Sequence, residues 1–260
     1  MAYSTLTLTH EGATALLTLN RPDKRNAISY ELMNELLAAL KEVEQSEAQV
    51  LILTGAGKAF CAGMDLDNLK SLTGRTVDEN VKDSETMARL FRSIYDFPRP
   101  TIAAVNGAAI AGGCGIATLC DFTLASREAK FGYTEVRIGF LPAIVSTFLL
   151  NQVGEKHARD LLLTGRVIDA DEAFRMGLVS EVVDTENLMP RARELAAELM
   201  KNSPASLAAT KRLLSGYSYE ELNGRIEDAV DANARIRSTA DFREGITSFL
   251  EKRTPKWTGK

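Results

Sequence analysis

The stretch Val50 to Thr54, VLILT, constrains the fold of this chain more than any other segment. A strand with one solvated face alternates polar and apolar residues, whereas a continuously apolar run suits a strand covered on both faces, as in a parallel sheet flanked by helices. The run ends at Gly55-Ala56-Gly57. Thr101 to Val105, TIAAV, repeats the pattern and leads into Asn106-Gly107. Phe122 to Ala125 and Val179 to Val183 read as further strands, and the alternating MAYSTLTLTHEG start reads as an edge strand. Helices fall between them. Ser29 caps a helix whose apolar face carries Leu32, Leu36, Leu40 and Val43. Asp169 and Glu172 form a capping box for a helix that Gly177 stops. Ser203-Pro204 opens a helical region running to about Leu250. The polar segment Ser71 to Ser84 is expected to be a mobile loop leading into a helix. The sum is an α/β chain with a helical tail that must dock on the core, on another subunit, or on both.

Several chemistries are excluded. Cys61, Cys114 and Cys120 make neither a CxxC pair nor an even-numbered framework, which argues against a disulfide scaffold or a zinc site and fits a reducing compartment, by default the cytoplasm. The start of the chain has no secretory signal pattern, and no apolar run approaches the roughly 20 residues of a membrane span. A net charge of -4 gives no global field for nucleic acid. The two histidines, His10 and His157, occupy unrelated settings. There is no G-x-S-x-G elbow; TGAGK lacks the first glycine and the final Ser or Thr of a phosphate loop; and Thr118 stands where a dinucleotide fingerprint needs a third glycine.

Two segments remain, KAFCAGMDL (Lys58 to Leu66) and NGAAIAGGCG (Asn106 to Gly115), each following a buried strand. Open sheets keep their ligand crevices at such strand ends. Ala62-Gly63 and Gly112-Gly113 would let a ligand approach the main chain, and the second pair stands where a helix begins with unpaired NH groups. Two NH groups converging on one oxygen form an oxyanion hole, worth about 3 to 4 kcal/mol per donor in the transition state. The same glycines also suit tight strand-helix packing.

RPDKRNAI (Arg21 to Ile28), KAFCAGMDL, VNGAAIAGGCGIATLCD, FGYTEVRIGFLP (Phe131 to Pro142) and LLLTGRVIDADEAFRMGLVSEVV together resemble the crotonase (enoyl-CoA hydratase/isomerase) family, in its order and spacing and over essentially the whole chain. The resemblance implies a spiral of ββα units over residues 1–200 and a helical C-terminal trimerisation segment over 201–260. It also implies homotrimers or dimers of trimers, an acyl-CoA substrate, and no cofactor beyond the coenzyme A that the substrate carries.

Residue by residue, the resemblance puts Met64 and Gly112 at the two oxyanion positions and Glu135 at the second catalytic carboxylate. The first carboxylate, which usually ends a GGGCE string, falls on Gly115. One carboxylate suffices for hydration with a differently held water, for double-bond isomerisation, or for hydration coupled to retro-aldol cleavage. Glycine at 115 combined with EVRIGFLPAIVS is similar to bacterial 3-methylglutaconyl-CoA hydratases, and a distal carboxylate would want a cation, for which Arg75, Lys70 or Lys82 is the expected source. Coenzyme A would contact Ala62, Asp65 and Leu66, with Lys24, Arg25, Ala27 and, from the tail, Lys252 or Lys256 near its phosphates. Leu69, Leu90, Phe91, Leu141 and Ile144 would line the acyl pocket. Glu135, between Phe131-Gly132 and an apolar stretch, would have its pKa raised by desolvation.

Overall fold

The computed structural model describes residues 3–260. Six strands form the first sheet, in the order β1 (Leu6–Glu11), β2 (Thr14–Leu19), β3 (Val50–Gly55), β5 (Thr101–Val105), β7 (Phe122–Ser126) and β10 (Glu181–Val183). A second sheet contains β4 (Ala59–Cys61), β6 (Ala108–Ile110), β8 (Lys130–Gly132) and β9 (Val167–Asp169). Strands β3, β5 and β7 are parallel neighbours in the first sheet, and β4, β6 and β8 are parallel neighbours in the second. The chain therefore passes from one sheet to the other three times in the same sense, by the short links 56–58, 106–107 and 127–129. Each passage ends at the same side of the molecule.

Among the described residues ten α-helices complete the fold: α1 (Tyr30–Gln45), α2 (Leu66–Ser71), α3 (Val77–Tyr95), α4 (Gly112–Thr118), α5 (Ala143–Thr164), α6 (Ala170–Arg175), α7 (Leu188–Leu199), α8 (Pro204–Gly216), α9 (Tyr219–Ile236) and α10 (Ala240–Glu251). The apolar run of β3 is explained by burial on both faces. Leu51 and Leu53 join the main core with Leu36 and Leu40 of α1, while Val50 and Ile52 join a second core closed by Leu188, Ala192 and Ala196 of α7. Each such side chain contributes on the order of 1.5–3 kcal/mol when fully buried. Strand β1 is an edge, paired antiparallel with β2 alone. Ser29 caps α1 through the Leu32 NH, Asp169 caps α6 through the Glu172 NH, and Ser203 caps α8 with proline following.

One expectation is overturned. Residues 71–84 are not a mobile loop, because α2 runs into a 3-10 turn (Leu72–Gly74) and α3 begins at Val77 under a reciprocal capping box between Thr76 and Glu79. The polar residues that suggested solvation, Asn80, Asp83 and Ser84, are buried against Arg237 at the end of α9. The last strand is shorter than expected, beginning at Glu181 rather than Val179. The C-terminal helices divide in their role: α9 packs on α3 and α5, whereas no residue of α8 is buried. No helix among the described residues is long and apolar enough to cross a membrane.

Candidate active site

The ends of β4 and β6 carry the two glycine-bearing segments to a common junction. Gly63 has φ +88°, a left-handed conformation that suits glycine, and a Cβ there would stand 3.1 Å from both the Ala111 Cβ and the Ile110 carbonyl oxygen. Ala111, at φ 52° and ψ -127°, holds a conformation rare for a residue with a side chain, and α4 starts directly after it. Met64 and Gly112 follow these two residues. Among the described residues neither the Met64 NH nor the Gly112 NH has a hydrogen-bond acceptor. Gly112 is the first residue of α4, so its NH is one of the donors a helix leaves unpaired.

A third segment is lashed to this junction. The Ile28 NH donates to Gly63 O, the Asp65 NH to Ile28 O, and the Ala62 NH to Arg25 O, at 2.7–3.0 Å. Asn26, fully buried, fixes the 21–28 loop by accepting from the Arg21 NH and donating to the carbonyls of Ala56 and Ala59. That anchor lay unremarked in the sequence, since a buried asparagine in a charged loop looks like any turn residue. Asp65 turns its carboxylate to Arg21 at 2.8 Å and to the Asp67 NH. Burial raises its pKa, but those bonds outweigh the burial and hold it below the usual carboxylate range.

Glu135 opens a 3-10 turn (Glu135–Ile138) that α10 clamps: a Cβ on Gly245 would lie 2.2 Å from Ile138 O. Its side chain is 8% exposed, and Oε2 has no hydrogen-bond partner among the described residues. Desolvation pushes its pKa up to about 7, against a weaker lowering by its own backbone NH. Such a group is poised to exchange a proton at neutral pH.

The segments that carry Met64, Gly112 and Glu135 enclose one cavity of about 460 Å³. Its lining includes Met64, Gly112 and Glu135 together with Lys24, Arg25, Ala27, Ala62, Asp65, Leu66, Leu69, Leu141 and Ile144. Phe91 also lines it, whereas Leu90 is buried in the core behind. Lys252 and Lys256 lie outside the lining, exposed at the end of α10 and beyond it. The three expected loop cations are also elsewhere: Arg75 stacks over Tyr30 and pairs with Asp83, Lys70 pairs with Asp67, and Lys82 does not reach the lining. Sequence reasoning missed Asp83 and Met87 of α3, Asn233 of α9, Arg237 just beyond it, and Phe249 of α10. Only the i, i+4, i+8 spacing of Asp83, Met87 and Phe91 could have shown part of it. Both histidines are exposed and outside the cavity.

Position 115 departs from a two-carboxylate site for a visible reason. A Cβ on Gly115 would stand 2.9 Å from Val145 Cγ1 and 3.0 Å from Phe91 Cζ, so the space for a side chain there is filled by apolar groups. The cavity lining thus combines two main-chain NH groups without acceptors and one carboxyl, Glu135, whose Oε2 has no partner among the described residues.

Twin sheets wound in one sense, with unpaired NH groups and a buried carboxylate at a shared junction, define a crotonase-type protein. A family model described as enoyl-CoA hydratase/isomerase matches residues 9–260, and the chain belongs to that family. It is similar to a Thermus thermophilus protein provisionally named an enoyl-CoA hydratase, at 45% identity over 95% of this chain and 98% of that one. It is also similar to the crotonyl-CoA hydratase of Syntrophomonas wolfei, at 36% identity over 100% of both chains. Among solved structures, an enoyl-CoA hydratase/isomerase from Xanthobacter autotrophicus superposes with a TM-score of 0.89 at 29% identity, covering 97% of this chain and 98% of that one.

Proposed function

We propose that this protein is an enoyl-CoA hydratase, a hydro-lyase that adds water across the double bond of a 2-enoyl-CoA. The observation that carries the reading is the unpartnered Glu135 carboxyl beside the free NH groups of Met64 and Gly112 in one cavity. The thioester oxygen accepts from both NH groups. Glu135 takes a proton from water as the water oxygen bonds to the β carbon, the electron pair of the double bond moves to give an enolate whose charge rests on that oxygen, and Glu135 returns the proton to the α carbon. Coenzyme A enters as part of the substrate and no separate cofactor is needed. Its pantetheine arm lies along Ala62 and Leu66, and its phosphates lie near Lys24 and Arg25.

The filled space at Gly115 favours a second reading, double-bond isomerisation by Glu135 alone, because the water has one carboxylate to hold it rather than two. Hydration coupled to cleavage uses the same groups. A non-catalytic binding scaffold would have no use for a desolvated, unpartnered carboxyl. In the cell the enzyme works in the cytoplasm, in keeping with three free cysteines. Residues 1–200 form the spiral core, and 201–260 form the segment that assembles trimers or dimers of trimers. Exposed Leu213, Leu214 and Tyr217 support that assignment.

The test is a product assay by mass spectrometry with crotonyl-CoA, 3-methylglutaconyl-CoA, a 3-enoyl-CoA and feruloyl-CoA. Water addition to a 2-enoyl-CoA that Glu135→Gln reduces by about a hundredfold or more supports the hydratase. Conversion of the 3-enoyl-CoA with solvent-deuterium exchange and no hydroxyacyl product supports the isomerase, and no turnover supports the scaffold.

A further inference from the structure

We infer that the exposed segment 253–260 is a latch that holds α10 against the turn carrying Glu135, with Asp241 and Glu244 as positioning residues for the reaction. This rests on the reading of Glu135 above. Helix α10 meets that turn main chain to main chain. A Cβ on Gly139, which ends the turn at φ +66°, would overlap the Asp241 carbonyl oxygen and stand 3.1 Å from Phe242 Cα. On the other side of the contact Gly245 lies against Ile138. A slip of α10 by one residue would bring Glu244 or Ile246 against the turn in place of Gly245, so the contact requires one register.

Apolar packing does not by itself choose that register. Phe242 and Ile246 are buried with Leu69 and Leu72, and the Phe242 ring lies 5.5 Å from that of Phe140, but hydrophobic burial is non-directional. The directional bonds come from the segment after the helix. Lys252, left-handed at φ 54°, turns the chain back. Arg253 then donates through Nη1 and Nη2 to the Glu244 carboxylate at 2.6 and 2.9 Å, and the Lys256 NH adds a third bond at 2.7 Å. One turn nearer the helix start, one oxygen of Asp241 accepts from the Thr258 NH and hydroxyl, and the other accepts from the Gly259 NH, at 2.6–2.9 Å. The Asp241 NH in turn donates to the Lys260 carbonyl. The segment therefore runs back along α10 in the opposite direction. Apart from half-buried Pro255 all of its residues are exposed, so it adds little to the core. Among the described residues, its bonds outside itself all go to α10. The Thr258 NH above all holds the Asp241 carboxyl below the usual carboxylate range, and Arg253 pulls Glu244 down to about 2, so both acceptors stay ionised near neutral pH.

Trp257, the single tryptophan of the chain, sits 47% exposed between the two anchors and reports on them. The test compares the wild type with Asp241→Ala and with Thr258→Pro/Gly259→Pro, which removes all three donors to the Asp241 carboxylate without altering α10. Both variants are expected to show red-shifted Trp257 emission and faster amide exchange at Gly139 and Phe140, whose NH groups bond within the turn. With a 2-enoyl-CoA that the wild type hydrates, kcat is expected to fall by about tenfold or more while KM changes by less than about twofold. A red shift without a fall in kcat overturns the inference, because the latch is then open and Glu135 does not register it. Unchanged Trp257 emission in the double-proline variant overturns it too, since other contacts then hold the segment. If Glu135→Gln leaves hydration unaltered, the reading of Glu135 falls and this inference falls with it.

Discussion

The two ends of the cavity are built by different means. At the reacting end, position comes from the main chain: strand ends, a left-handed glycine, the first NH of a helix, and loops laced together by backbone hydrogen bonds. At the acyl end, position comes from side chains reaching between α3 and the end of α9, with Arg237 bonded to four residues. The difference teaches where the chemistry is fixed and where selectivity is free to vary. Backbone donors are indifferent to most substitutions, so the first end suits a reaction step common to many acyl groups. The second depends on the identity of each side chain and suits the choice among them.

Four expected outcomes would break or sharpen that contrast. The largest is at the reacting end, where Glu135→Gln is expected to lower kcat/KM by about 10² to 10⁴ in a steady-state assay. The same substitution should stabilise the protein at high pH. Folded Glu135 has its pKa raised from 4.5 to about 7, so the native state binds more protons than the unfolded state between those values and stability falls as pH rises through that window. Removing the charge should recover up to roughly 3 kcal/mol above pH 7 and close to nothing below pH 4 in urea melts.

Next is Arg237→Met, which leaves Asp83 buried with Arg75 as its remaining charged partner and is expected to cost about 3–5 kcal/mol in the same melts. Adding Asp83→Asn should restore part of that loss. Third, Gly115→Glu pushes into Val145 and Phe91 and is expected to destabilise by about 1–3 kcal/mol without raising hydration. A stable, faster Gly115→Glu enzyme would show that the apolar filling is incidental. The smallest effect should come from Arg193→Ala, which breaks an exposed pair with Glu11 far from both ends and should shift stability by about 1 kcal/mol at most.

The same division separates what was legible in the sequence from what was not. Buried parallel strands announce themselves by unbroken apolar runs, and the glycines after them mark places where main chain is exposed to a ligand. Met64, Gly112 and Glu135 were assigned through the resemblance to the family rather than by strand pattern alone, and all three line the cavity. The 71–84 segment misled because Asn80, Asp83 and Ser84 read as solvated when Arg237, more than 150 residues away in sequence, supplies their partner. A polar residue carries no local sign of whether water or a distant guanidinium satisfies it. For the same reason Lys24 and Arg25, tied to the motif that placed them, line the cavity, while Lys252 does not.

The central claim is that one desolvated carboxyl, Glu135, carries the proton for water addition. The dependence of crotonyl-CoA hydration on pH, measured as kcat/KM for the wild type and for Glu135→Gln, tests it most directly. The account predicts a wild-type rate that rises through a single ionisation near pH 7 and a residual rate in the variant from which that ionisation has vanished. A wild-type ionisation near 4.5, or an unchanged profile in the variant, would contradict it.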